Sequence, residues 1–262
     1  MSTTWVRREP PRFRRVEVAA RTHRTPHLLR VTLAGPELAG FDPGLPAASV
    51  RLLVPSPGTT DVVMPSWTGN EFLLPGGDRP TIRTYTPLRF DADALELDLD
   101  VVLHPAGAVS AWAEAADPGD AAAISGPGRG YTVDDDAESF VLAGDETALP
   151  AIGQLLEVLP RHASVQAIVE VAHADARLEL PSHPQLSITW CELVDGARSG
   201  DALVEAVRSA DISGDARVWA AGEAAAVQRI RKHLFGDRGM TRAQATVRGY
   251  WKHGRAGEAD GG

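Results

Sequence analysis

The chain carries one cysteine, Cys191, in 262 residues. That excludes an internal disulfide, a cysteine-held iron–sulfur cluster and a cysteine-based zinc site within one copy of the chain, so any redox chemistry needs a borrowed cofactor. Its eight histidines are scattered, with no pair at helical ligand spacing followed by a carboxylate, and no protein metal site is expected. No run approaches the apolar length needed to span a bilayer, and the start of the chain has no apolar leader, which predicts a cytoplasmic protein without membrane insertion. Positive charge is also short. Lys and Arg total 26 against 35 Asp and Glu, a formal net charge of -9, which argues against nucleic acid as a partner. Basic residues still crowd both ends of the chain, from Arg7 to Arg30 and again at Arg248, Lys252, His253 and Arg255.

The pattern up to residue 135 is one of short strands punctuated by turns, with almost no helical periodicity. Residues 16–18 and 29–33 read as a strand pair, 50–54 as the next strand, and 95–103 as the clearest alternation of apolar and polar residues in the protein. A long connection rich in proline and glycine spans 55–77 and contains Trp67 and Phe72. Such an arrangement predicts a closed or nearly closed antiparallel β-barrel over residues 1–135. From residue 136 strands alternate with helices: strands at 139–144, 165–171, 186–190, 217–223 and 245–252, helices starting near Pro150, at an Asp201 cap and after Glu223. The expectation is a parallel sheet covered on both faces over 136–262, with two strand-to-helix turns at its carboxyl edge, where α/β sheets bind ligands.

Within that frame four short segments carry chemistry. Arg83-Thr84-Tyr85-Thr86-Pro87 puts a fixed cation and an aromatic ring on one face of a strand, beside a hydroxyl, and could seat a flat phosphate-bearing ring, although the same residues would also serve an ordinary half-buried strand. His104-Pro105-Ala106-Gly107-Ala108-Val109-Ser110 turns a strand into a short helix whose free amides would attract a pyrophosphate; a plain strand-to-helix turn reads the same way. Asp145-Glu146-Thr147 follows a buried strand, and Gly222-Glu223 repeats the strand-then-glycine device. Glu170 could accept from a ribose 2′-hydroxyl, favouring NADH, while Arg177 could meet a 2′-phosphate, favouring NADPH.

Three stretches, Arg83-Thr84-Tyr85-Thr86, the run from Val141 to Ile152 containing Leu142-Ala143-Gly144-Asp145-Glu146-Thr147-Ala148-Leu149-Pro150, and Gly249-Tyr250-Trp251-Lys252-His253-Gly254, together with Trp219-Ala220-Ala221-Gly222-Glu223, resemble the siderophore-interacting proteins. These are FAD-dependent ferric-siderophore reductases of the ferredoxin-reductase-like superfamily. The resemblance spans nearly the whole chain and implies a flavin-binding β-barrel followed by an α/β nucleotide domain. It implies that Arg83 contacts the FAD phosphates, Tyr85 packs on the isoalloxazine and Thr86 bonds near its N5, so that Tyr85 and Thr86 are the catalytic candidates. His104, Gly107, Val109 and Ser110 would hold the rest of FAD, where the family's usual glycines are partly replaced. Asp145, Glu146, Thr147, Gly222 and Glu223 would line the nicotinamide nucleotide site, with NADPH implied by family habit, NADH open and ferredoxin as another source of electrons. The implied reaction reduces a ferric siderophore and frees Fe(II): a nicotinamide gives up two electrons together, ferric iron takes one, and flavin mediates. Fe(II) then binds hard oxygen chelators less tightly. An anionic chelate calls for cations, and Arg129, Arg248, Lys252 and Arg255 are the candidates. Two other readings stay open, a flavin reductase serving a different acceptor and a siderophore carrier without turnover.

Overall fold

The computed structural model describes residues 10–254 apart from Ala106 and Asp195, so Arg255, Arg7 and Arg8 lie outside the described residues. The first half contains β1 (Phe13–Thr25), β2 (Leu28–Ala34), β3 (Val50–Leu53), the short pair β4 (Ser66–Trp67) and β5 (Phe72–Leu73), β6 (Ile82–Tyr85), β7 (Pro87–Asp91), β8 (Glu96–Val102), helix α1 (Ala108–Ala115) and β9 (Ala121–Ser125). Seven of these strands form one antiparallel sheet in the order β6-β3-β9-β1-β2-β8-β7. Its two edge strands, β6 and β7, are consecutive in the chain and separated only by Thr86, so the sheet curls until its edges meet at that residue.

Strand alternation divides the two faces of this sheet. Leu29, Val31 and Leu33 of β2 and Leu97, Leu99 and Val101 of β8 are buried inside with Val16, Val50, Leu52 and Ile124. On the other face of the same strands Arg30 makes a two-pronged ion pair with Asp100, at 2.8 and 3.0 Å, and Thr32 donates to Asp98 at 2.7 Å. Val109, Ala113 and Ala116 of the α1 region close one end of the interior. The connection 55–77 folds back over the outer face, where Phe72 packs on Phe13 and Trp67 and covers Leu53, Val62, Ile82 and Ala123.

The second half contains β10 (Ser139–Asp145), α2 (Leu149–Val158), β11 (Ser164–Val171), β12 (Leu186–Glu192), α3 (Asp201–Ser209), β13 (Arg217–Glu223), α4 (Ala224–Lys232) and β14 (Ala245–Trp251). The five strands form a parallel sheet in the order β12-β11-β10-β13-β14. Its strands are apolar on both faces because helices cover both: α2 lies over Phe140, Leu142 and Trp219, and α3 and α4 over Val141, Ile168 and Val218. Among the described residues the indole N–H of buried Trp219 has no partner. An unsatisfied buried donor costs about 1–3 kcal/mol. Burying an indole of about 200 Å² at about 25 cal/mol per Å² returns roughly 5 kcal/mol, so the ring is kept.

Helix α3 begins differently from the expectation. Asp201 is its first residue, bonded to Arg229 and to the amide of Arg198, and the cap position belongs to Gly200. The side chain that satisfies the helix start comes from β11: Glu170 accepts from Gly200 N at 2.6 Å and Leu203 N at 2.9 Å.

The two halves are joined through Ala47, which sits in a left-handed conformation (φ 56°) on the loop before β3. Its amide donates to Gln154 of α2 at 2.9 Å, its carbonyl accepts from Arg248 of β14 at 3.3 Å, and its methyl is buried among the α/β core residues. Gln154 also donates to the carbonyl of Pro87, and Arg248 to those of Arg129 at 2.8 Å and Gly130 at 2.7 Å.

Candidate functional site

The segment 83–86 lies at the seam of the sheet. Pairing of Val50 with Tyr85 and Leu52 with Arg83 sets Arg83 and Tyr85 on the face shared with the buried Val50 and Leu52, as alternation requires. Burial pushes the Tyr85 phenol well above its ordinary value, with the Arg83 cation pulling weakly the other way. Among the described residues Arg83 donates only to its own neighbour's carbonyl, Ile82 O at 2.6 Å, so the rest of its fork can meet a phosphate. Thr86 is buried at the seam beside Tyr250, whose phenol is pushed up by burial while the Thr86 hydroxyl pulls the other way. The carboxyl edge of the parallel sheet thus reaches the barrel at Thr86.

Strand β8 leads from the seam to His104 and α1. The hydroxyl of Ser110 donates to Val102 O at 3.1 Å and accepts from His104 N at 3.3 Å, fixing the turn. A side chain at Gly107 would start 2.6 Å from both the imidazole of His104 and the hydroxyl of Ser110, so only glycine keeps this cradle open. Gly107 is the cap residue of α1 and no side chain caps the helix, so its first-turn amides can take an anion. Val109 is different from the expectation. Its side chain is buried in the barrel interior together with Ala113 of the same helix. These groups fit a pyrophosphate-bearing flavin nucleotide: an open glycine cradle, free helix amides, an aromatic face and a guanidinium.

The facing turn is built around Asp145. It is buried and has four donors: Thr147 N at 3.0 Å and Thr147 Oγ1 at 2.5 Å on one oxygen, Glu223 N and Trp251 Nε1 at 2.8 Å on the other. Burial raises its pKa above the ordinary carboxylate value, and the four bonds oppose that shift. Gly222, at φ 147°, stands against it; a Cβ there would lie 2.5 Å from the Asp145 carboxylate. Glu223 caps α4 through Ala226 N at 2.9 Å, and its other oxygen accepts from His253 N at 3.3 Å. Glu146 reaches across to Ala172 N at 2.6 Å, and its pKa is raised by burial. The turn lies against β8, and beside it the barrel's His27 meets His173, on the loop after β11, with ring centres 4.9 Å apart and planes tilted by 37°.

Two sequence expectations change here. Glu170 is buried and spent on the start of α3, each oxygen accepting from a main-chain amide, so it is not presented to a ribose hydroxyl. Arg177 stays at the surface, paired with Glu192. Arg248 is not offered to a ligand: its guanidinium is half-buried and spread over three carbonyls, and desolvation lowers its pKa, with the nearby Arg129 adding to the lowering. Arg129 and Lys252 are exposed. The residues the sequence reading missed are Tyr250 beside Thr86, Trp251 as a partner of Asp145, and Gln154; their identity was visible, but nothing local signals contacts made between the two halves. A cavity of about 500 Å³ between β1 and the turn Pro36–Leu38, lined by Arg15, Glu17, Glu37 and Asp61, contains none of these residues. Among the described residues no helix is long and apolar enough to cross a membrane.

Comparison with known proteins gives matches over both halves. Residues 17–131 match the siderophore-interacting FAD-binding domain and residues 137–254 match the siderophore-interacting protein family. A siderophore utilization protein from T. fusca is 37% identical and superposes with a TM-score of 0.83, covering 96% of this chain and 97% of that one. The siderophore-interacting protein SipS from Aeromonas hydrophila is 31% identical with a TM-score of 0.79 over 94% of this chain and 93% of its own. The ferric vibriobactin reductase ViuB of Vibrio cholerae is 30% identical over 238 residues, 89% of this chain and 87% of that protein. At 18% identity and a TM-score of 0.64, a Neisseria gonorrhoeae ferredoxin NADP+ reductase shares the fold. With matches of this coverage and identity, and with its barrel and parallel sheet meeting at Thr86, the chain belongs to the siderophore-interacting protein family.

Proposed function

We propose that the protein is an FAD-dependent reductase of ferric siderophores that takes electrons from a nicotinamide dinucleotide and releases Fe(II). What carries the reading is the convergence at Thr86: the seam of the barrel, with Arg83 and Tyr85 on its inner-facing side, has Tyr250 of the parallel sheet's carboxyl edge beside it. Support also comes from ViuB, a ferric vibriobactin reductase, among the relatives. When bound, FAD accepts an electron pair and passes electrons on singly, which matches a two-electron donor to a one-electron metal. In this reading Arg83 and the α1 amides, around the open Gly107 cradle, hold the phosphates. Tyr85 supports the ring and Thr86 offers its hydroxyl to the ring edge, while His104 and Ser110 keep the turn in shape.

The donor is proposed to enter over Asp145, Glu146 and Thr147, with Gly222 and Glu223 opposite. Asp145 organises this turn through its bonds to Thr147, Glu223 and Trp251, and Gly222 leaves the space beside it clear. With Glu170, the residue that favoured NADH, committed to α3, NADPH is the proposed donor. Lys252 and Arg129 are proposed to attract the anionic chelate, the ferric iron being substrate with no protein ligand of its own. The residue ranges 1–135 and 136–262 are proposed as the flavin and nicotinamide halves.

The test is anaerobic spectroscopy of the FAD-loaded protein, adding NADPH or NADH and then a ferric catecholate or hydroxamate with a ferrous trap. Flavin bleaching, reoxidation on adding the chelate and trapped Fe(II) are expected. Bleaching without Fe(II) would assign another acceptor, and a protein that binds the chelate but no flavin would be a carrier.

A further inference from the structure

Of the strands that edge the two large sheets, β6 and β7 meet each other at Thr86, and β14 lies against the barrel, where Arg248 donates to the carbonyls of Ala47, Arg129 and Gly130. The remaining edge is β12. Which of its main-chain groups point outward follows from two bonds: Val165 N donates to Gln185 O and Leu193 N to Val171 O, each at 3.0 Å. In an unbroken parallel register the odd-numbered residues of β12 therefore turn their N–H and C=O to β11, and the even-numbered residues turn theirs away from the sheet. Among the described residues nothing bonds to the N–H and C=O of Ile188 and Trp190. The edge also lacks the usual guards. From Leu186 to Cys191 it carries no charge, proline or bulge, and Ser187, Ile188 and Thr189 are exposed, as is Val194 just beyond the strand.

The strand is complementary to itself. A two-fold axis through Thr189 sets two copies of β12 antiparallel, so that the outward groups of Ile188 meet those of Trp190 in the second copy, and the reverse. Each main-chain group without a partner gains one. Leu186 N is already committed, donating to His183 O at 3.2 Å, and the residue opposite it in this register, Glu192 of the second copy, needs only Leu186 O as an acceptor. On the α2 side, where Leu186 and Trp190 join the core, Ile188 packs on the indole of the second copy's Trp190. On the other side Thr189 meets Thr189. Pairs of these kinds favour antiparallel strands, and the two Glu192 carboxylates lie at opposite ends, so no like charges face each other. We propose that β12 joins a second copy of this chain edge to edge about a two-fold axis through Thr189, continuing the parallel sheet of each copy into one sheet across the dimer.

The size of the contact sets its strength. A strand of seven residues is about 23 Å long, and two side by side bury less than the roughly 1,200 Å² at which stable complexes begin. The dimer is therefore weak and reversible, with a Kd of about 10–100 µM. β12 and β14 are the opposite edges of their sheet, so the pairing leaves the junction at Thr86 untouched.

The experiment is sedimentation equilibrium of the full-length protein from about 5 to 500 µM, with amide hydrogen exchange at both limits, on the wild type, I188K, C191S and T189C/C191S. Ile188 is 40% exposed, so I188K should keep the wild-type melting temperature while the Kd rises at least about tenfold. Residues opposite each other at a position without ladder bonds have Cα atoms about 4.5 Å apart, within reach of a disulfide. T189C/C191S should therefore cross-link to a dimer under mild oxidation, and C191S alone should not. A wild type that stays monomeric at about 500 µM overturns the proposal; protection of the Ile188 and Trp190 amides at every dilution then assigns the edge to a segment of the same chain. A dimer that I188K leaves intact, or one that T189C/C191S fails to cross-link, belongs to another surface and overturns it equally.

Discussion

Replacing Arg248 by methionine tests whether its guanidinium joins the two halves of the molecule. Methionine keeps the apolar stem and removes the donors to Gly130 O at 2.7 Å, Arg129 O at 2.8 Å and Ala47 O at 3.3 Å. A hydrogen bond to a charged group contributes about 1.5–3 kcal/mol. The two short bonds set the scale and the long one adds little. Two offsets reduce the sum: the carbonyls of Arg129 and Gly130 lie near the surface and rehydrate, and the variant no longer desolvates a cation, a cost visible in the lowered pKa of Arg248. The net loss should be about 2–3 kcal/mol, or roughly 4–12 °C in Tm at about 2–4 °C per kcal/mol for a chain of this size. Denaturant unfolding followed by tryptophan fluorescence and a thermal melt would measure it. Arg248→Lys should recover no more than half, since an ammonium cannot span three carbonyls. A loss below about 0.5 kcal/mol in R248M, or unchanged stability with a tenfold weaker affinity for an anionic ferric chelate, would refute the clasp and return Arg248 to the ligand.

Gly107→Ala should fold with a loss of about 1 kcal/mol, because the atoms it meets are side-chain ends that can turn, and should weaken FAD at least tenfold in a fluorescence titration. At Ala47 glycine relieves about 1–2 kcal/mol of left-handed strain but loses a buried methyl and gains unfolded-state entropy, so A47G should be within about 1 kcal/mol of wild type. A47V should cost more than about 3 kcal/mol, and equal melts for the two would show that the loop relaxes. Glu170 has a pKa raised by burial above the ordinary 4.5. Its favourable linkage is therefore fully present below about that pH and is lost as pH rises through the folded value. The destabilisation by E170Q should be largest near pH 4 and shrink toward pH 7, as checked by urea unfolding at each pH; a penalty that grows with pH would reverse the assigned shift.

Elements with strong periodicity were legible in the sequence. The alternation at 95–103 is β8, the apolar spacing after Pro150 is α2, and the shared face of Arg83 and Tyr85 follows from extended backbone alone. What was not legible depends on closure and on contacts between distant segments. The motif 83–87 reads as a strand closed by its proline, yet the chain breaks at Thr86 into opposite edges of the sheet, because a seven-stranded curl has to bring its edges together somewhere. Glu170 and Arg248 look like ligand groups in sequence because a carboxylate at a strand end and a cation near a conserved-looking turn suit ligands equally well. Only the position of α3 and of the 128–130 bend shows that main-chain groups already occupy them. Asp201 failed as a cap for the same reason: a carboxylate from a neighbouring strand took the role first.

The contacts of Ala47 with Gln154 and Arg248 also constrain the order of assembly during translation. Vectorial synthesis favours folding of early segments first, and the barrel strands through β9 are complete well before β14 is made. The nascent barrel therefore holds the amide and carbonyl of Ala47 without their partners Gln154 and Arg248. A ribosome paused before β14 would present a folded barrel with an unfinished joint, so the cleft between the halves is completed only as the last strand leaves the exit tunnel.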